Sequence, residues 1–368
     1  MVAHAQQGME TFDEHRAAVQ RRLDKMFTEQ RGSIETVHPD AAALLDSVAA
    51  LSRGGKRLRA LLAWMGYRAA GGHAEATRIV EAGAAVEVFQ SAALIHDDIL
   101  DRSDTRRGQP SVHRQFETLH RDSGWRSASA HFGQSAAILA GDLALALADA
   151  SFHAAIEGSP RAARAREEMQ TMRWEVMAGQ YLDVLAEVMP PAEDPVLAAQ
   201  RAARVVEFKS ARYTAVHPTS LGILLAGGSD ALVRACSAVT LPFGLAYQYH
   251  DDLLGVFGDA AQTGKPSGDD LREGKRTVLI AHAHAVLPAQ DIASLEADLG
   301  REDLDEDRIR HWQDRLTDSG VRQRVEAEVS RLHDEAFAAL HRLTEEGAAC
   351  AAVEDLRRLM DSLMGRNA

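Results

Sequence analysis

The sequence predicts an all-α protein, a single large helical bundle over residues 1–368. Two observations carry that prediction. Ala and Leu supply much of a hydrophobic content of 46%, aromatics are only 5%, and short alternating β-branched runs are scarce; that balance favours helix over sheet. The 10 prolines and 27 glycines are scattered rather than gathered into a linker, so nothing separates two folding halves.

Residues 1–10 read as loose and disordered. Helical spacing begins near Thr11, runs to about residue 30 and resumes over 41–51. Ser52-Arg53-Gly54-Gly55 breaks it, and Lys56-Arg57-Leu58-Arg59 opens a helix reaching residue 70. Residues 75–101 read as one long helix with Ala82, Ala85, Ala92 and Ala93 on one side. A loop over 104–108 precedes apolar helices over 131–155 and 161–188, the second stopped by Pro190-Pro191. Helices over 196–210, 219–226 and 231–256 follow, then a polar, glycine-rich loop over 258–274. From Arg276 the pattern is helical again, and the charged stretch 302–364 reads as amphipathic surface helices without legible chemistry.

A net charge of −13 argues against a nucleic-acid partner, which calls for a basic face. Cys236 and Cys350 are too few for a disulfide framework or a zinc site. The N-terminal residues lack the charged-then-apolar pattern of a secretion signal, and no uninterrupted apolar run approaches the length of a membrane span. The expected setting is the cytoplasm, with no integral membrane segment.

The chemistry concentrates in two acidic motifs. Ala-Leu-Ile-His96-Asp97-Asp98-Ile-Leu-Asp101 drives three carboxylates into an apolar helix, and Gln248-Tyr-His250-Asp251-Asp252-Leu-Leu repeats its core. Ionised Asp is rarely buried unless it is paired or holds a metal. On a helical wheel Asp97 and Asp101 lie about 40° apart, and Asp98 falls to one side. A carboxylate pair at that spacing suits Mg²⁺, a hard ion that keeps waters and shares phosphate oxygens with a substrate. The second motif carries Gly255 where the first has Asp101, so it is expected to hold a single further ion through Asp251 and Asp252. Gln248 precedes Asp251 by three residues and shares its face. His96 reads as a packing or hydrogen-bonding neighbour.

Cations accompany each motif. Arg106 and Arg107 follow the first; guanidinium forks match phosphate oxygens, the plain alternative being ion pairs with Asp104 or another acid. Lys265 and Lys275 follow the second, in and after the glycine-rich loop, where Asp269, Asp270 and Glu273 could instead take them into salt bridges. Lys56 and Arg59 share a face in the first turn after Gly54-Gly55, and cations there oppose the helix dipole. An anionic ligand accounts for them.

The order Gly-Gly-Lys56-Arg-Leu-Arg59, Asp97-Asp98-Ile-Leu-Asp101 with Arg106-Arg107-Gly108, Lys209-Ser210, Gln248-Tyr-His-Asp251-Asp252, then Lys265 and Lys275 resembles the trans-isoprenyl diphosphate synthases, the polyprenyl synthetase family. The resemblance implies a homodimer, a Mg²⁺-dependent chain elongation with three ions, and two aspartate helices facing a central cavity. It implies isopentenyl diphosphate on Lys56, Arg59 and Arg107. It places the allylic diphosphate on metals held by Asp97, Asp98, Asp101, Asp251 and Asp252, with Arg106, Lys209, Gln248, Lys265 and Lys275. Gln90 stands where the family often has His, and Ser210 where Thr is common.

For chain length, the resemblance directs attention to the helix before Asp97. Ala92 and Ala93 are too small to block a growing chain, and Phe89 is expected to form the floor, about 12 Å upstream. That favours a twenty-carbon product, geranylgeranyl diphosphate, over farnesyl or longer diphosphates. A class I terpene cyclase has no use for a second diphosphate site, and a regulatory subunit commonly lacks one aspartate motif.

Overall fold

The structure, a computed structural model, describes residues 2–73, 76–190, 194–258, 267–301 and 303–364, with side chains from residue 12 onward. It is an all-α fold. The helices are α1 (Val2–Val37), α2 (Ala42–Leu51), α3 (Leu58–Ala69), α4 (Thr77–Leu100), α5 (Val112–Asp122), α6 (Ser129–Ile156), α7 (Ala162–Val188) and α8 (Pro195–Val205). A π-helical stretch, Val206–Val216, leads into α9 (His217–Leu225) and α10 (Asp230–Phe257). The remainder comprises α11 (Asp269–Glu273), α12 (Val278–Val286), α13 (Ala289–Asp298), α14 (Glu306–Asp318), α15 (Val321–Glu345) and α16 (Cys350–Met364). Between α4 and α5 lies a small antiparallel hairpin, Thr105–Arg106 with Gln109–Pro110.

The chain forms two compact units. The first takes Met1–Glu168, Pro218–Cys236 and Leu343–Arg358. Here α4 packs against α6, α5 against α6, and α3 against α4. Alanines buried on both long helices (Ala84, Ala85 and Ala92; Ala137, Ala140 and Ala144) let backbones approach closely, while Trp64, Phe89 and Ile95 fill the larger spaces. A Cβ on Gly66 would fall 2.1 Å from the Thr219 carbonyl oxygen, and one on Gly222 would fall 1.8 Å from that of Ala63. Glycine is therefore required where α3 crosses α9. α4 and α6 are long and apolar enough to cross a membrane, but the qualifying windows are 67% and 50% buried, as expected of core helices.

The second unit takes Met169–His217, Ser237–Arg342 and Leu359–Ala368. Its core gathers Tyr249, Leu253 and Val256 of α10 with Leu271, Leu279, Leu295, Trp312, Leu316 and Val325. The charged stretch read as surface helices thus contributes a full core face. Trp312 donates through Nε1 to Asp298 at 2.8 Å, which satisfies its polar end inside that core.

Several elements differ from the sequence expectation, among them α11, which forms inside the stretch 258–274 read as a loop. α1 runs from residue 2 to 37 rather than 11 to 30. α5 was not foreseen, because its buried face is marked by just two apolar residues, Val112 and Phe116, with His113 and His120. No break separates residues 210 and 219; the chain continues there as π-helix.

Candidate active site

In the first unit, α3 starts at Leu58, so Lys56 and Arg57 precede it and Arg59 stands in its first turn. Arg57 has a left-handed backbone (φ 51°, ψ 38°) and a side chain only 5% exposed. It pairs with buried Glu87 of α4 at 3.2 Å and donates to the Gln20 side chain and the Ser52 carbonyl. Glu87 also accepts from the Ala60 amide at 3.2 Å, satisfying one of the free N–H groups at the start of α3. The basic turn is therefore fixed from beneath, with Lys56 exposed and Arg59 half-buried above it.

The hairpin separates its two adjacent arginines. Arg107 and Gly108 both have positive φ (54° and 71°), as a two-residue hairpin loop favours. Arg106 donates through Nε to Asp98 Oδ1 at 2.8 Å and reaches Asp97 Oδ2 at 3.5 Å. Arg107 instead donates to the Leu51 and Arg53 carbonyls at 3.0 and 3.4 Å. Its guanidinium lies 3.2 Å from the place a Gly55 Cβ would take, so the glycine turn makes room for it. Desolvation and the neighbouring charges of Arg57, Arg106 and Arg59 lower the Arg107 pKa, against the pull of Glu87. Like charges gathered in this way await an anion.

Asp97 and Asp101 are both half-buried on α4, whereas Asp98 is only 1% exposed and tied to Arg106. Of the three carboxylates expected to bind metal, Asp98 is the most buried, and Asp97 Oδ1 and both carboxylate oxygens of Asp101 are also shielded from solvent. Gln90 and Ala93 share the partly open side of α4. Phe89 and Ala92 lie on the packed side, 2% and 0% exposed. His96 Nε2 sits 3.3 Å from the Ile138 carbonyl, in a cradle left by Gly141, whose Cβ would fall 2.2 Å from that nitrogen. It has the packing role the sequence suggests.

In the second unit, Gln248 donates to Asp252 Oδ1 at 3.0 Å, one helical turn on, rather than to Asp251. Asp251 is exposed and Asp252 is 7% exposed. Burial first, then the charges of Asp270 and Asp251, push the Asp252 carboxyl up to about 8, against the Gln248 hydrogen bond and Lys275. Asp252 Oδ2 is buried without a hydrogen-bond partner. Lys209 lies in the π-helical stretch and donates to Asp183 of α7; a Cβ on Gly179 would fall 2.3 Å from the Lys209 amide nitrogen, so α7 presses on the stretch at this point. Such stretches recur at functional sites. Ser210 beside it is half-buried. Lys275 pairs with Glu273 at 2.7 Å, the salt-bridge alternative for that residue. Lys265 lies outside the described residues.

An all-carboxylate donor set and a buried, charge-crowded aspartate fit a hard divalent cation. Among the described residues, no three His, Cys, Asp or Glu side chains form a preformed metal cage. Sequence reasoning missed Glu87 and Asp183. Glu87 did carry a signal, a lone charge inside an apolar run; Asp183 carried none, because its role depends on a partner 26 residues away.

The polyprenyl synthetase family profile matches residues 42–316. The chain is 35% identical over 208 residues to a geranylfarnesyl diphosphate synthase of Natronomonas pharaonis, covering 56% of this chain and 54% of that protein. It is 34% identical over 230 residues to a geranylgeranyl diphosphate synthase of Sulfolobus acidocaldarius, covering 62% of each. Both matches span less than two thirds of the relative's length. Its structure is similar to the crystal structure of a geranylgeranyl pyrophosphate synthase from Corynebacterium glutamicum complexed with isoprenyl diphosphate and magnesium. The TM-score is 0.90 at 35% identity, over 97% of this chain and 99% of that one.

Proposed function

Because the chain belongs to the polyprenyl synthetase family, we propose that it is a Mg²⁺-dependent trans-prenyltransferase joining isopentenyl diphosphate head-to-tail to an allylic diphosphate. The observation that carries this reading is the cationic cluster of the first unit, where Arg107 is packed against the Gly54-Gly55 turn beside Arg57 and Arg59. It is set apart from the pairing of Arg106 with the acidic motif, so the unit offers a second diphosphate-binding set. A cyclase acting on one diphosphate needs no such set.

In this account Lys56, Arg59 and Arg107 bind the diphosphate of isopentenyl diphosphate. Asp97 and Asp101 in the first unit, and Asp251 and Asp252 in the second, would hold Mg²⁺, with Asp98 orienting Arg106. Bound Mg²⁺ would neutralise the diphosphate as it departs. In the first unit Arg106 would add a charged hydrogen-bond donor for the allylic diphosphate, with Gln90 a neutral donor on the same side of α4 as Asp97; in the second unit Lys209, Gln248 and Lys275 offer donors of the same kind. The allylic C–O bond breaks with its electron pair leaving on diphosphate. The alkene pair of isopentenyl diphosphate forms the new C–C bond, and the released proton passes to diphosphate. No side chain serves as a nucleophile.

We propose geranylgeranyl diphosphate as the product. Support comes from the small Ala93 on the partly open side of α4 and from similarity to proteins named for twenty- and twenty-five-carbon products; Phe89, 2% exposed on the packed side, is the floor residue put to the test. Assembly as a homodimer is supported by Ile138 and Leu139, which α6 leaves 47% and 56% exposed.

The test is incubation with Mg²⁺, labelled isopentenyl diphosphate and each allylic primer, with products dephosphorylated and sized. A twenty-carbon alcohol is expected, lost on chelation of Mg²⁺, and Phe89→Ala should lengthen it. Failure to elongate any primer would contradict the proposed activity; an unchanged length distribution in Phe89→Ala would contradict the floor.

A further inference from the structure

π-helix is rare and mostly limited to single turns, so an 11-residue stretch of it, Val206–Val216, calls for support from its neighbours. α7 gives it. Glu175, Gly179 and Asp183 stand at i, i+4 and i+8 on α7 and share a face, and each meets the stretch. Asp183 accepts from Lys209 Nζ. Gly179 admits the backbone, since a Cβ there would fall 2.7 Å from the Phe208 carbonyl carbon. Glu175 holds the far end. Its two oxygens each accept from Arg212 Nη1 at 3.4 Å, and Oε2 lies 2.9 Å from Nε2 of His217, the first residue of α9.

His217 is 2% exposed, which makes its contact with Glu175 an internal one. Burial works against the Glu175 charge, but the hydrogen bond from His217 and the nearby charges of His217 and Arg212 outweigh it and hold the carboxyl below its usual range. Arg212 also donates through Nε to Glu207 at 3.0 Å, within the stretch itself, and its guanidinium lies 5.3 Å from the centroid of the Phe208 ring. Through Glu175 the stretch is thus fastened to α7 at Arg212 and His217, both beyond Lys209 in the chain. Rewinding these residues to an α-helix would rotate Lys209 about the axis relative to that fixed end and redirect its ammonium.

We propose that Glu175 is a positioning residue for Lys209: by fastening Arg212 and His217 it keeps the stretch in its π register, and so sets where the Lys209 ammonium is offered to a diphosphate. The inference rests on the reading of the protein as a prenyltransferase with Lys209 a donor to the allylic diphosphate. Glu175 itself touches no substrate in this account and acts through Lys209.

The test is steady-state kinetics at saturating Mg²⁺, with the allylic diphosphate and isopentenyl diphosphate varied in turn, alongside thermal melting. It compares wild type, Glu175→Gln, Glu175→Ala, Lys209→Ala and Glu175→Ala/Lys209→Ala. Lys209→Ala is expected to raise the allylic KM about tenfold or more, the scale of a lost charge-assisted hydrogen bond. Glu175→Ala should raise it about fivefold or more, as a misplaced binding group does, with the KM for isopentenyl diphosphate within about twofold of wild type. Glu175→Gln keeps the shape and loses the charge; it should move the same constant in the same direction, and carries the test, alone and with Lys209→Ala, if Glu175→Ala does not fold. In the Lys209→Ala background the loss of Glu175 should add less than about twofold, because the group it positions is gone. An allylic KM unchanged in both Glu175 variants would overturn the inference alone. So would an equal cost of losing Glu175 with and without Lys209, the mark of a purely structural role. An allylic KM unchanged in Lys209→Ala, or no elongation by the wild-type protein, would overturn the functional reading of the site and this inference with it.

Discussion

Glu87 and Arg57 form a buried ion pair beneath the basic turn, 3.2 Å apart, and removing one charge from such a pair strands the other. Glu87→Gln is therefore expected to lower stability by about 3–5 kcal/mol, read by chemical denaturation, and to raise the KM for isopentenyl diphosphate by loosening the turn. Wild-type stability in Glu87→Gln would show that the pair is dispensable. His15, 4% exposed and stacked on Trp64 at 4.7 Å between ring centroids, gives a pH prediction. Burial pushes its imidazole down to about 4, against a hydrogen bond with the Ala60 backbone. The unfolded chain therefore binds more protons than the folded one between about pH 6.5 and 4. The stability His15 permits is fully present above about 6.5 and declines as pH falls through that window; His15→Phe should flatten this part of the profile in denaturation series at pH 7 and 5. The aspartate motifs were legible in the sequence because ionised groups in apolar helices stand out. The burial of Asp98 and the hold of Glu175 on His217 were not, since both arise from elements distant in the chain.

α3 and α9 cross where Gly66 and Gly222 face backbone carbonyls. Gly222→Ala would set a methyl 1.8 Å from the Ala63 oxygen, an overlap with rigid backbone that only helix separation relieves. It should destabilise the protein by at least the roughly 1–3 kcal/mol typical of overpacking, seen as a lower melting temperature; an unchanged melting temperature would mean the crossing is looser than it looks. The long apolar helices α4 and α6 were legible because their patterning is strong. α5 was not, because its buried residues Val112, His113, Phe116 and His120 are diluted by charge. The π-helical continuation through Lys209 was also hidden. Gly179 and Gly244 let α7 and α10 close on it, their Cβ positions falling 2.3 Å from Lys209 N and 2.7 Å from Ala211 O, and such tertiary packing overrides the local signals of a break.

At the scale of the molecule, composition identified the helical class but misjudged the charged C-terminal third. Trp312, Leu316, Val321 and Val325 from that region build the second unit's core, and Asp355 anchors Arg68 at 2.6 Å within the first. Charge on the outer faces masked a periodic apolar face. The account turns on a division of labour, with one set of cations serving isopentenyl diphosphate and the aspartate motifs serving the allylic diphosphate. The direct measurement is steady-state kinetics of Arg107→Ala with each substrate varied in turn at saturating Mg²⁺. The account predicts a KM for isopentenyl diphosphate raised about tenfold or more, the scale of a lost charge-assisted contact, with the allylic KM within about twofold of wild type. Equal rises in both constants, or a change in the allylic constant alone, would contradict it.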